Sequence, residues 1–80
     1  MPTVLLWNGY RFYFFSNEGA EPPHIHVDKA GNSVKFWLDP ISVARNFGFS
    51  QRELGTIEDK VTAEQDRFIE AWHGYFSNPR

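Results

Sequence analysis

Two short runs of β-branched and aromatic residues, Val4 to Trp7 and Tyr10 to Phe15, flank Asn8-Gly9. That pair best tolerates the positive φ angles of a type I′ turn, so the pattern predicts a tight β-hairpin over residues 3–15. Successive strand side chains alternate faces, which puts Tyr10, Phe12 and Phe14 on one side and Arg11, Tyr13 and Phe15 on the other. Both sides carry aromatics. One requires a helix laid over it, and the other requires a partial cover, a ligand or a partner.

Ser16 to Glu21 is small and polar and reads as a loop. The chain then enters Glu21-Pro22-Pro23-His24-Ile25-His26-Val27. Each proline fixes φ and lacks a donor, and Pro23 biases Pro22 towards an extended shape, so strand pairing starts at His24. The strand runs to Asp28, Lys29-Ala30-Gly31-Asn32 forms a loop, and Ser33 to Leu38 returns, a second hairpin over 24–38. If Ile25, Val27, Val34, Phe36 and Leu38 form its buried face, then His24, His26, Lys35 and Trp37 share the opposite one, with Arg11 and Tyr13 from the first hairpin beside them.

Asp39-Pro40 ends that strand, because proline cannot continue a ladder. Residues 41–45 alternate weakly and predict a short strand. Asn46-Phe47-Gly48-Phe49 turns the chain and offers two core anchors. Ser50-Gln51-Arg52-Glu53 matches a capping box, with the Ser50 hydroxyl on the Glu53 amide and the Glu53 side chain reaching back. From there Leu54, Ile57, Val61, Phe68, Ile69, Trp72 and Phe76 form one helical stripe, with Gln65 where an apolar residue is expected. One continuous helix over 51–76 is preferred to a break near Thr62, since Gly55 costs only about 1 kcal/mol and no proline intervenes. Ser77 to Arg80 reads as a frayed tail. The prediction is one α+β domain over residues 1–80, antiparallel β-hairpins in one small sheet with a long C-terminal α-helix packed on one face.

Composition supports a folded chain: 41% hydrophobic and 18% aromatic residues, with no cysteine, leave an aromatic core as the stabiliser in place of disulfides. The net charge of −2 excludes a protein that holds nucleic acid mainly by neutralising phosphates. Four basic and four acidic residues lie in 1–49 against four and six in 50–80, so the first part is locally neutral. The first residues lack a basic leader and the apolar run is too short for a membrane span, which reads as a cytoplasmic protein with no membrane partner. Aromatics on both faces of the first hairpin suggest a homodimer.

A pair of imidazoles on one strand face can bind a metal, move a proton or contact a phosphate. A metal needs a third ligand beyond His24 and His26, and Glu21 and His73 are the candidates. Metal-free, ribonuclease-like acid–base chemistry needs two groups titrating near neutrality and a cation, roles open to His24, His26, Arg11 and Lys35 as catalytic residues. Tyr13 and Trp37, with Arg11, form a candidate stacking platform for single-stranded bases or an anchor for a protein, and Glu21 a further binding residue. Against these stand plainer readings: imidazoles bonded to nearby polar groups, and aromatics forming a small auxiliary core. No phosphate loop, nucleophile elbow or zinc-finger spacing is present, so no cofactor is expected.

Gly9-Tyr10-Arg11-Phe12, Phe15 to Gly19, Glu21 to Val27, Lys35 to Leu38, Gly48-Phe49-Ser50 with Glu53-Leu54, and Ala71-Trp72 with Tyr75-Phe76 together resemble the small prokaryotic domain-of-unknown-function family 4160. The Pro-His-Ile-His-Val core is the most specific part. The resemblance implies a stand-alone bacterial or archaeal protein, often encoded beside a small partner protein of domain-of-unknown-function family 2442, as in a toxin–antitoxin pair. It assigns no catalytic residue. The expectation is a component of such a two-gene module, acting on RNA or on a partner protein through the His-x-His surface. A non-enzymatic interaction module and a small metal-binding protein are the alternatives.

Overall fold

The computed structural model describes residues 3–76, so the tail at 77–80 lies outside the described residues. Five strands follow one another: β1 (Thr3–Trp7), β2 (Tyr10–Tyr13), β3 (His24–Lys29), β4 (Asn32–Leu38) and β5 (Ile41–Phe47). They lie side by side in chain order, each antiparallel to the next. Two helices follow, α1 (Gln51–Ala63) and α2 (Gln65–Phe76), completing an α+β fold. No helix among the described residues is long and apolar enough to cross a membrane.

The turns carry the predicted chemistry. Asn8 and Gly9 have φ of 50° and 81°, and Ala30 and Gly31 repeat the device at 52° and 84°. The second loop is therefore two residues, shorter than the four expected. The first hairpin's ladder stops at Tyr13, although Phe14 just beyond it is buried. The strand expected over 41–45 continues to Phe47, because Asn46 and Phe47 pair with Val34 and Ser33. As a result Phe47 is exposed, and of the two expected anchors only Phe49 enters the core.

On the helix side, Phe12, Ile25, Val27, Val34, Phe36 and Leu38 meet Leu54, Ile57, Val61, Phe68 and Trp72 in one cluster. Phe12 stacks on Phe68 at 5.5 Å between ring centroids. Ser50 caps α1 as expected, its hydroxyl accepting from the Glu53 amide at 3.1 Å. The Glu53 carboxylate does not complete the expected box. It accepts from the Tyr10 hydroxyl at 2.8 Å, tying α1 to the first hairpin.

The single helix expected over 51–76 is interrupted at Glu64, which caps α1 with its amide on the Lys60 carbonyl. The reason lies one residue on. Gln65 occupies the polar gap in the stripe, and its side-chain amide donates to the Leu38 carbonyl at 2.7 Å, satisfying the end of β4. A polar side chain turned inward has to find such a partner, and the one-residue break lets α1 and α2 each face the sheet on their own line.

Candidate functional site

The ladder between β3 and β4 pairs His24 with Trp37 and His26 with Lys35, and Tyr13 of β2 lies opposite His26. The expected group thus shares the sheet face turned away from Ile25 and Val27. It is not an open surface. Phe15 and the loop before Pro22 fold over it: Tyr13 stacks on His26 at 5.4 Å, Phe15 meets His26 edge-on at 4.8 Å, and His24 meets Trp37 edge-on at 5.7 Å. Trp72 of α2 closes on His24 at 4.7 Å. His24 is consequently 0% exposed, and Tyr13 only 5%. Tyr13 therefore has no free face for a base.

The centre of the cluster is a residue the sequence did not single out. Glu18 places Oε1 2.8 Å from His24 Nε2 and Oε2 2.9 Å from His26 Nε2. Its position is fixed locally, because Oε1 accepts from the Phe15 amide at 3.0 Å and the Glu18 carbonyl accepts from the Glu21 amide. Burial alone would raise the Glu18 carboxyl. The contacts from His24 and His26 and the Phe15 amide outweigh burial and hold it below the ordinary carboxylate value. In the sequence Glu18 was one polar residue in a short loop. It was one of two carboxylates, with Glu21, between an aromatic strand end and the Pro-Pro stiffener, and it fell inside the Phe15 to Gly19 run that carries the family resemblance.

His24 defines the electrostatics. Its Nδ1 stands 2.9 Å from the Pro22 carbonyl, which can only accept, so Nδ1 carries the proton. The other ring nitrogen, Nε2, faces the Glu18 carboxylate at 2.8 Å. Oε1 stands off the line along which an Nε2–H would point, and Nε2 makes no aligned hydrogen bond among the described residues. A buried ring nitrogen and a carboxylate oxygen at 2.8 Å need a positive centre between or beside them, a proton on Nε2 or a bound cation. The three donor atoms of Glu18, His24 and His26 lie within 4.8 Å of one another.

The other expected site residues surround this centre without entering it. Lys35 donates to Glu21 Oε1 at 2.7 Å and lies over the Trp37 ring. Glu21 Oε1 comes only to 3.8 Å of His24 Nδ1, the side already bonded to Pro22, so Glu21 is not the third ligand. His73 is exposed on α2, and it does not join the cluster either. Arg11 lies over the Tyr13 ring and its Nε donates to Thr3 Oγ1 at 2.9 Å, while the Tyr13 hydroxyl donates to Asp28.

No curated protein and no solved structure matches this chain. A family model does, over residues 9–73, a span that runs from the first turn through Glu18, both histidines and Trp72. The chain belongs to the family described as domain of unknown function DUF4160.

Proposed function

We propose that this protein binds a divalent first-row transition ion through Glu18, His24 and His26. The carrying observation is His24, whose Nδ1 is committed to the Pro22 carbonyl while its buried Nε2 faces Glu18. A histidine that ligates a metal commonly donates its other ring N–H to a backbone carbonyl, which fixes the tautomer and aims the lone pair. Two imidazoles and one carboxylate suit zinc, iron(II), cobalt or nickel better than magnesium or calcium, which prefer all-oxygen shells. Ligands bonded at about 2.0–2.1 Å around a tetrahedral ion sit about 3.4 Å apart, within the spread of these donors. Three protein ligands leave a fourth position, and an ion there lowers the pKa of bound water towards about 7.

This reading displaces metal-free RNA cleavage as the preferred one. His24 is sealed from solvent, and Lys35 is neutralised by Glu21, so neither is placed to meet a phosphodiester. Titration of chelator-stripped protein with Zn2+ or Co2+ tests it. One ion per chain is expected, with loss of binding in His24→Ala and in Glu18→Ala. Absence of stoichiometric binding by wild type would sink the proposal, and leave the cluster as an imidazolium–carboxylate clamp on the loop.

A further inference from the structure

Two contacts join the Glu18 loop and His24 to the end of α2, and neither is needed to build the helix. Trp72 packs on the His24 ring at 4.7 Å and on Phe76 at 4.2 Å. Phe76 in turn lies against Gly19, the residue after Glu18, so closely that a Cβ built at Gly19 would fall 2.7 Å from Phe76 Cδ1. Phe14 completes the group, with Trp72 and Phe76 each 5.4 Å from its ring. The loop that carries Glu18 is thus held on one side by the two histidines and on the other by the last turn of α2.

We infer that loading of the Glu18/His24/His26 centre and docking of the last turns of α2 are one coupled equilibrium, so that metal seats Trp72 and Phe76 and their release opens the centre. The inference rests on the metal reading above. Without an ion the loop is held by the contacts of Glu18 with the two rings and with the Phe15 amide; when it lifts, the surface under Phe76 goes with it. An ion bonded to all three side chains adds to those contacts and pins the loop where Phe76 needs it. Because coupling between two sites is reciprocal, loosening Phe76 must weaken metal binding by the factor by which metal tightens the helix end.

Hydrogen exchange of the full chain, stripped and Zn2+-loaded, reads one side of this equilibrium, and Zn2+ affinity by chelator competition reads the other. Loading should slow exchange over residues 69–76 about tenfold while leaving α1 unchanged, a coupling of ordinary size. Gly19→Ala pushes directly on Phe76 and should weaken Zn2+ binding about fivefold or more and speed exchange in the same segment; because Gly19 adjoins the ligand Glu18, the effect counts as coupling only where Phe76→Leu, which adjoins no ligand, repeats it. Phe76→Leu should act in the same direction. Gly55→Ala, in α1 with open space around it, should leave affinity unchanged and so separates coupling from general stability. Zn2+ binding with unaltered exchange at the end of α2, or with wild-type affinity in Gly19→Ala, overturns the coupling alone. Failure of wild type to bind Zn2+ overturns the metal reading first and the coupling with it.

Discussion

The two faces of this sheet are built from the same strands, often from adjacent residues, and they solve burial in opposite ways. On the helix side Ile25, Val27, Val34 and Phe36 are at most 1% exposed and pack in one apolar cluster with side chains of α1 and α2. On the other side His24 is just as buried, but beneath a loop, two tryptophans and a carboxylate. The apolar contacts of the first arrangement change with neither protons nor ions. The second is stable only when its charges balance, which makes it the part of the molecule whose order responds to conditions. A substitution on each face should therefore differ in what rescues it, as well as in size.

The largest effect belongs to the helix side. Phe36 is 0% exposed at the centre of the sheet, and Phe36→Ala should cost about 3–5 kcal/mol, a large share of the stability of a domain this small. Denaturant unfolding should show the loss equally at pH 5 and pH 7, with and without Zn2+. Rescue of Phe36→Ala by metal or by pH would break the distinction between the faces.

Glu18→Gln comes next, at about 1–3 kcal/mol for a buried site left with mismatched polar partners. Here the loss should depend on conditions. Added Zn2+ should raise the melting temperature of wild type and leave the variant where it was, since only the native site binds. The acid limb carries a second signature. The folded Glu18 carboxyl titrates below its unfolded value, so the unfolded chain binds the proton first as pH falls. The stabilisation is therefore present above the unfolded value of about 4.3 and is lost as pH drops through the lower folded one. Comparing metal-free wild type and Glu18→Gln from pH 7 to pH 2 should show their stabilities converging, and parallel curves would mean that Glu18 carries no such linkage.

The same contrast explains what could be read from the chain. Period-two alternation placed His24, His26, Lys35 and Trp37 on one face correctly, because register follows from backbone geometry. Helical periodicity found the stripe from Leu54 to Trp72, yet missed the break at Glu64, since nothing local to Gln65 announces a carbonyl 27 residues earlier. Glu53 misled for the same reason. A local capping partner was expected, and the distant Tyr10 hydroxyl took the carboxylate. Glu18 fell inside a run that carries the family resemblance, but its role was not legible, because loop residues have no periodicity and that role comes from a fold-back that only tertiary structure supplies. The apolar face was legible from pattern, while the polar centre depended on contacts made across the loop.

The smallest effects allow the most direct comparison, because each face buries one tyrosine hydroxyl on a carboxylate. Tyr10 donates to Glu53 beside the helices, and Tyr13 donates to Asp28 on the other side. Burial first, then the bond to the carboxylate and its charge, pushes both phenols up to about 12. Each raised value means stabilisation that is complete below the unfolded phenol value of about 10 and lost as pH climbs through about 12. Tyr10→Phe and Tyr13→Phe should each cost about 0.5–1.5 kcal/mol at neutral pH, and each should remove one late step from the phenolate absorbance titration. The two hydroxyls share no partner, so the double variant should be additive within about 0.5 kcal/mol. Zn2+ then separates them. Tyr13 stacks on His26 at 5.4 Å while the Tyr10 ring packs on Trp7 and Phe49, so the cost of Tyr13→Phe should change on loading while that of Tyr10→Phe stays fixed. Equal costs in both states would show that the stack on His26 transmits nothing, and that the outer face responds to metal through Glu18 and its loop alone.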